Sequence, residues 1–241
     1  MKKWKKIATA ALAAMVFASV LSGCGGDKKK AADTGNTIKV GASFELTGNV
    51  ANYGKSILSG FKMAADEANK TGINGKKIEV IESDNKSEPS ESGNSITKLV
   101  TQNKVIAVVG PATSGCVAAG APITAANKIP HIAPSATAPG ITVDNGKVRE
   151  FMFRACFIDP FQGQVMATFA SNTLKVKNVA ILFDSSSDYS KGLASVFQQT
   201  LEGKGGKIVA KEAFLSKDVD FKASLTKIKA TNPEAIYVPG Y

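Results

Sequence analysis

The sequence is poor in the residues that build metal sites and disulfide frameworks. Its 241 residues include three cysteines and a single histidine, His131. Besides Cys24 only Cys116 and Cys156 are present, so an exported protein could form at most one disulfide. We expect these two thiols to be free and buried. With no His, Cys and acid cluster at ligand spacing, we predict no metal and no other cofactor.

Long hydrophobic runs are also scarce. The uncharged stretch from Ile7 to Leu21 follows a cluster of lysines and is shorter than the roughly 20 residues of a membrane-spanning helix. A cationic cluster before a short apolar run is typical of an export signal. Small residues then precede Cys24, a pattern that resembles the lipobox of bacterial lipoproteins. The sequence therefore predicts a lipoprotein signal peptide over residues 1–23 and lipidation of Cys24.

Residues 24–37 have no apolar periodicity and predict a flexible tether. A lipid anchor followed by a basic tether would hold a folded domain at a membrane surface. The alternative is ordinary signal-peptide cleavage beside an incidental cysteine. The expected location is the cell envelope, with the protein anchored on the extracytoplasmic side.

The charge balance argues against a nucleic-acid partner. Removal of the signal peptide lowers the formal charge from +10 to +6, because four lysines leave with it. The remaining lysines are scattered along the chain and interleaved with acids, whereas a nucleic-acid reader concentrates them on one element. We interpret most of them as solvated.

From residue 38 onward, strand-like and helix-like segments alternate. Strands are predicted at residues 38–44, 77–82, 105–110 and 131–134, with helices at 56–69, 89–102 and 114–126. The segment VIAVVG at residues 105–110 is apolar on both faces, which predicts a strand at the centre of a parallel sheet. Repeated βα units of this kind form a right-handed, doubly wound sheet.

A second series of the same kind follows. Strands are predicted at residues 151–156, 179–183, 207–213 and 235–238, with helices at 162–174, 191–201 and 221–230. We therefore expect a first α/β lobe over residues 38–155 and a second that starts at residue 156. The sequence stops directly after a predicted strand, so we expect the second lobe to be incomplete in this chain.

Ligands of doubly wound sheets bind beyond the carboxyl ends of the strands. The loops expected there, at residues 45–54, 110–116, 134–139 and 184–192, all carry hydroxyls, glycine or tyrosine. In the loop GPATSGC, Ser114 stands where a helix begins and offers a hydroxyl and NH groups to an anion such as a carboxylate. Ser114 could equally be an N-cap without a ligand. Three tyrosines are expected to line a pocket from these loops: Tyr53, Tyr189 and Tyr241.

Known catalytic motifs fit the same loop poorly. Cys116 stands where a phosphate-binding loop needs lysine, and Ala112 stands where a nucleophile elbow needs glycine. Cys116 and His131 could form a thiol–imidazole pair, but a cysteine in an apolar helix is more typical of inert core. We therefore predict a protein that is not an enzyme.

The ordered motifs resemble one family. The segments IKVGASFELTGNVANYGKSILSGFKMAADEAN, VVGPATSG, IPHIAPSAT, DYSKGLASVF and KDVDFKASLTKIKATNPEAIYVPGY occur in the order and spacing of the Leu/Ile/Val-binding proteins. These are type I periplasmic (solute) binding proteins of ABC importers. The resemblance implies two α/β lobes joined by a hinge, which close on a free amino acid and deliver it to a permease in the membrane. It implies no covalent chemistry, and we expect a monomer.

The resemblance also implies roles for particular residues. Ser114 and Thr137 would hold the α-carboxylate of the ligand. The carbonyl of Ser135 and the hydroxyl of Thr137 would receive the α-ammonium. The pocket walls would again be Tyr53, Tyr189 and Tyr241. The acidic residue with which the family pairs the ammonium would lie beyond residue 241.

Two alternatives share this fold. One is a sensory or regulatory receptor, although a repressor would need a DNA-binding headpiece and a membrane receptor would need a spanning helix. The other is a transport receptor for short amides or aromatic acids. We expect a receptor for a branched-chain or related aliphatic amino acid.

Overall fold

A computed structural model describes residues 35–241. The predicted signal peptide, Cys24 and nearly all of the predicted tether lie outside the described residues. Residues 37–241 form one structural unit in which strands and helices alternate. Within residues 35–241 we find no helix with the length and apolarity that a bilayer crossing requires.

Ten strands and six α-helices make up this unit of the described chain. The strands are β1 (Thr37–Phe44), β2 (Lys77–Asp84), β3 (Ala107–Val109), β4 (His131–Ala133), β5 (Val143–Asp144), β6 (Lys147–Val148), β7 (Met152–Arg154), β8 (Asn178–Asp184), β9 (Lys207–Phe214) and β10 (Ala235–Tyr237). The helices are α1 (Ala51–Thr71), α2 (Pro89–Thr101), α3 (Ser114–Ala126), α4 (Asp159–Thr168), α5 (Asp188–Gly203) and α6 (Lys222–Ala230).

The first sheet has five parallel strands in the order β2-β1-β3-β4-β7. The prediction that VIAVVG contains the central strand is confirmed, because β3 is the third of the five and Val108 is fully buried. Helix α1 packs its apolar stripe against this sheet, where Leu58 joins Ala42 and Phe44 in the core. On α2, Ile96 and Leu99 pack against Val108 in a separate cluster. The sheet is thus covered by helices, as a strand buried on both faces requires.

The second sheet has three parallel strands in the order β10-β8-β9. Its core contains Val179 and Ile181 of β8 together with Phe197 and Leu201 of α5. Phe197 stacks on Tyr237 of β10, with ring centroids 4.0 Å apart. The sheet is therefore fixed to α5 by apolar and aromatic contacts.

Helix starts were predicted less well than strands. Helix α1 begins at Ala51, five residues before the predicted start, and α5 begins at Asp188 instead of residue 191. Helical periodicity could not find these first turns, because several of their residues are exposed and polar. The predicted helix 162–174 begins at Asp159 and ends in a π-helical turn, Phe169–Thr173. The short β5–β6 hairpin was not predicted.

The carboxyl ends of the two sheets face one another. Tyr241, which follows β10, reaches Ser114 at the start of α3. The NH of Asp159 donates to the carbonyl of Thr137 at 3.0 Å. The strand-end loops of both sheets therefore border one cleft.

Candidate functional site

A buried carboxylate organises the loop that follows β3. Glu45 comes directly after β1 and has an exposed fraction of 0 %. Its Oε2 accepts the NH of Ala112 at 2.9 Å, and its Oε1 accepts the NH and the hydroxyl of Thr113 at 3.1 and 2.8 Å. No ion pair to Glu45 occurs among residues 35–241. Three hydrogen bonds thus replace the water that the carboxylate lost.

Ser114 is the first residue of α3 and is almost completely buried. The interpretation of Ser114 as the N-cap is wrong, because Thr113 occupies that position. The Ser114 hydroxyl accepts the NH of Ala138 at 3.2 Å, and its own NH donates to the Tyr241 hydroxyl at 3.5 Å. Ser114 therefore links the loops after β3 and β4 and directs an NH toward a hydroxyl oxygen in the cleft.

Ser135 and Thr137 lie in the loop after β4. The Ser135 hydroxyl donates to the carbonyl of Ala112 at 2.7 Å, so it fixes one loop to the next. Thr137 is buried, and its carbonyl accepts the NH of Asp159. The structure thus brings Thr137 to the start of α4 and close to Ser114, which bonds the following residue, Ala138.

Arg154, at the end of β7, holds the loop around Thr137 in place. Its Nη1 donates to the carbonyls of Ala136 and Ala138 at 3.1 and 2.7 Å. Its Nη2 donates to the hydroxyl of Thr142 at 2.9 Å. One guanidinium therefore satisfies backbone carbonyls on both sides of Thr137 and restricts the loop.

Asp159 is a buried acid whose carboxylate forms no hydrogen bond of good geometry among residues 35–241, although the Thr137 hydroxyl and the Arg154 guanidinium lie near it. Its exposed fraction is 0 %, and neither carboxylate oxygen is hydrogen-bonded within residues 35–241. Burial raises the pKa of Asp159, although the neighbouring Thr137 hydroxyl and the Arg154 guanidinium oppose the rise. A Cβ atom at Gly192 would lie 3.1 Å from Asp159 Oδ2, so glycine there leaves room beside the carboxylate.

The three predicted tyrosines come together. The Tyr241 ring stacks on Tyr189 with centroids 4.8 Å apart and meets Tyr53 edge-on at 6.1 Å. The Tyr189 hydroxyl oxygen accepts a hydrogen bond from Nε2 of Gln162, 3.0 Å away. Burial raises the pKa of Tyr241, so its hydroxyl stays protonated. Tyr53 and Tyr189 stand on the first turns of α1 and α5, so the prediction that both lie in loops is wrong.

Cys116 and His131 are built into the core. His131 is fully buried, with Nε2 against the carbonyl of Gly110 and Nδ1 3.1 Å from the Thr124 hydroxyl. Burial lowers the pKa of His131 to about 4 and raises that of Cys116 to about 12. Cys156 is only partly buried, so the prediction of two buried thiols is wrong for it. Neither the imidazole nor the Cys116 thiol has the ionisation that thiol catalysis requires.

A depression lies between other strand-end loops of the two sheets. This groove of about 350 Å³ is bounded by the first sheet's loops at Gly48 and Ser87 and by residues 216–219 of the second part. Glu88 and Lys217 form an ion pair across it at 2.9 Å. The groove does not include Ser114, Thr137 or Asp159. Among residues 35–241 no cluster of His, Cys, Asp or Glu is placed to hold a metal ion.

Sequence reasoning missed three residues of this arrangement: Glu45, Arg154 and Asp159. Each had a signal. Glu45 is a charged residue directly after a buried strand. Asp159 precedes Pro160, and an Asp-Pro pair is typical of a helix start. This pattern gave no reason to assign Asp159 another role. The long-range bonds of Arg154 have no local sequence pattern.

Together these features define an α/β fold in which the strand-end loops of two parallel sheets meet. The profile of the family described as "Periplasmic binding protein" matches residues 37–240. The chain belongs to this family.

Relatives and solved structures give the same result. The chain is 36% identical to the Leu/Ile/Val-binding protein BraC3 of Rhizobium johnstonii, over 85% of this chain and 54% of the relative. It is 45% identical to LivJ, the branched-chain amino acid transporter substrate-binding protein of Streptococcus pneumoniae, whose structure contains isoleucine. The match covers 85% of this chain and 57% of that one, with a TM-score of 0.78. The chain thus spans about half the length of these relatives.

A third comparison widens the range of ligands. A solute-binding protein of an ABC transporter from Rhodopseudomonas palustris, in complex with 3,4-dihydroxybenzoic acid, is 26% identical with a TM-score of 0.74. It matches 84% of this chain and 54% of its own. The predicted resemblance to Leu/Ile/Val-binding proteins and the type I fold are confirmed. Homologues of the chain bind branched-chain amino acids, and structural neighbours bind aromatic acids.

Proposed function

We propose that the protein binds a free aliphatic amino acid in the cleft between the two sheets. The observation that carries this proposal is Asp159, a fully buried carboxylate without a hydrogen-bond partner in the described chain, beside Thr137 and near Ser114. A carboxylate without water or a partner costs several kcal/mol. An ammonium group of a ligand would supply the missing charge and donors. We therefore propose Asp159 as an ammonium partner within residues 35–241, in addition to the acid that the family resemblance implies beyond residue 241.

The opposite end of the ligand would meet Ser114. The NH of Ser114 donates only weakly to Tyr241, at 3.5 Å, so a ligand carboxylate can replace that hydroxyl. The α3 N-terminus favours an anion at this point. Thr137 would contribute its hydroxyl and backbone, and the Ser135 carbonyl would face the ammonium. Tyr53, Tyr189 and Tyr241 would cover the aliphatic side chain.

We propose the rest of the function from the family resemblance and from the lipobox-like pattern at Cys24. The lobes, residues 38–155 and the part that begins at residue 156, close on the ligand around a hinge, and the closed form presents it to the permease of an ABC importer. The protein is a monomer of the cell envelope, anchored by lipid at Cys24 on the extracytoplasmic side. It performs no covalent chemistry, because Cys116 and His131 are buried and not ionised for catalysis.

Calorimetric titration with leucine, isoleucine and valine tests the site. We expect Asp159→Asn to weaken binding by about 1.5–3 kcal/mol, the value of a hydrogen bond to a charged group, which is on the order of 10- to 100-fold in Kd. The same variant should be at least as stable as wild type without ligand, because it removes an unpaired buried charge. Asp66→Asn, an exposed carboxylate on α1, is the matched control. Equal affinities for Asp159→Asn and wild type would contradict the proposal.

An aromatic acid is the second candidate, and the stacked tyrosines favour it. The Tyr241 ring already accepts one aromatic neighbour face-on. A benzoate-type ligand would use the Ser114 end of the site and leave Asp159 without a partner. Tight binding of 3,4-dihydroxybenzoate that is insensitive to Asp159→Asn would select this candidate over an amino acid.

The lipid anchor has its own test. Metabolic labelling with a fatty acid should mark the wild-type protein and not Cys24→Ala. We expect the wild-type protein in the membrane fraction and the processed variant in the soluble fraction. Labelling of Cys24→Ala, or its retention in the membrane after signal cleavage, would contradict lipidation at this cysteine.

A further inference from the structure

The fold collects lysines that are scattered in the sequence. In a parallel sheet with antiparallel helices, strand starts and helix ends lie at the same edge. At this edge of the first sheet six exposed lysines stand on β2 and the turn before it, on the last turns of α1 and α2, and on the turns before β3 and β4. They are Lys70, Lys76, Lys77, Lys98, Lys104 and Lys128, and we call them the basic edge.

None of these lysines forms an ion pair within residues 35–241. The lysines that do form ion pairs lie elsewhere, such as Lys62 with Glu82 and Lys217 with Glu88. The nearest acids on α1 and β2, Glu67 and Glu79, are not bonded to the basic edge. Glu150, exposed on the turn before β7, stands at the same edge and forms no ion pair within residues 35–241. The six lysines nevertheless outnumber the acids, so the edge carries an excess of positive charge.

Two of the six lysines occupy unfavourable backbone positions. Lys104 and Lys128 follow α2 and α3 with φ angles of 57° and 55°. In this left-handed region glycine is the least strained residue, and it is the usual choice after a helix. Lysine occupies both positions, as it does at Lys175 beside the second sheet, where φ is 58°.

The chain enters the first sheet at the same edge, because Thr37 is the amino end of β1. Twelve residues separate Thr37 from Cys24, so the two Cα atoms are at most roughly 45 Å apart when the chain is extended. A lipid at Cys24 would keep this edge within reach of the membrane. This step rests on the lipid anchor of the proposed function.

We propose that the basic edge docks on anionic phospholipid headgroups and orients the protein on the membrane. Clustered lysines near an anionic bilayer are attracted within about a Debye length, and the attraction adds up over the cluster. The cleft lies at the carboxyl ends of the strands, opposite the basic edge. It then faces away from the lipid headgroups. Docking by the edge leaves the binding site open to solute.

Vesicle cosedimentation tests the edge without the lipid. All proteins carry Cys24→Ser, so the outcome does not depend on lipidation, and the shared N-terminal sequence contributes equally to each. The edge variant replaces Lys70, Lys76, Lys104 and Lys128 with glutamate; a milder version uses glutamine. The control replaces four exposed lysines at the corresponding edge of the second sheet with glutamate: Lys175, Lys177, Lys204 and Lys207. Glu234 lies at that edge and bonds the NH of Lys177 at 2.8 Å.

On vesicles of phosphatidylglycerol and phosphatidylcholine, we expect the edge variant to bind at least about tenfold more weakly than the parent. The glutamine version should fall between them, and the control should lose no more than about threefold. Binding should weaken with salt, and on phosphatidylcholine alone all proteins should bind equally. Unchanged binding of the edge variant, or an equal loss in the control, would overturn the proposal. Preference for duplex DNA over the anionic vesicles at the same salt would also overturn it.

Discussion

Replacing Glu45 with glutamine should destabilise the protein, although the two side chains have nearly the same shape. Both carboxylate oxygens accept hydrogen bonds: Oε1 from the NH and hydroxyl of Thr113, and Oε2 from the NH of Ala112. Glutamine can keep its oxygen at only one of these places. The better choice is the Oε1 position, which retains two of the three hydrogen bonds.

The cost follows from what remains. The glutamine NH₂ group would then face the NH of Ala112, 2.9 Å away in the present structure, so two donors would meet in a fully buried place. The change loses a hydrogen bond to a charged acceptor, about 1.5–3 kcal/mol, and leaves buried donors unsatisfied, about 1–3 kcal/mol. Partial relaxation of the loop lowers the sum, and we expect a loss of about 2–4 kcal/mol.

Equilibrium unfolding in urea, followed by circular dichroism, measures this loss directly. Glu79→Gln is the matched control, because Glu79 is exposed on β2 and should change the free energy of unfolding by less than about 0.5 kcal/mol. A loss below about 1 kcal/mol for Glu45→Gln would refute the reasoning. It would mean that the loop before Ser114 does not depend on the carboxylate.

Three further predictions concern other groups. Burial opposes ionisation of Asp184, but hydrogen bonds from Ser186 and Ser216 lower its pKa below 3.8. The ionised carboxylate therefore stabilises the protein above pH 3.8, and this stabilisation is lost as the pH falls through the lowered pKa. In unfolding measured against pH, Asp184→Asn should reduce the loss of stability at acid pH. Gly192→Ala should weaken amino-acid binding in calorimetry, because its methyl group would crowd Asp159; unchanged affinity would refute this. A maleimide should label Cys156 in the native protein but Cys116 only after unfolding, as read by mass spectrometry.

The sheets were predictable because strand signals are local. The apolar run VIAVVG and the stripe on α1 specify burial from neighbouring residues alone, so the central strand and the covering helix were found. The first turn of α1 was missed, because Asn52, Tyr53 and Lys55 are exposed and break the apolar pattern. Tyr53 is exposed because it lies at the cleft and not in the core.

The site residues were predictable only where the residue type and its position in a loop or at a helix start indicate ligand binding. Ser114 stands at a helix start and Thr137 in a hydroxyl-rich loop, and both lie at the cleft. Asp159 is a candidate binding residue because the fold buries its carboxylate. An exposed aspartate before proline would simply mark the start of a helix. Glu45 depends on NH groups more than sixty residues away in sequence. Such pairings cannot be derived from periodicity or motif spacing.

The central claim is that Asp159 receives the ammonium group of an amino acid. Calorimetric titration of wild type and Asp159→Asn with leucine and with isocaproate, which is leucine without the ammonium, tests it most directly. We predict that wild type prefers leucine by on the order of 100-fold or more, because only leucine brings a cation to the buried carboxylate. In Asp159→Asn that preference should shrink at least about tenfold. Equal binding of the two ligands by wild type, or an unchanged preference in the variant, would contradict the account.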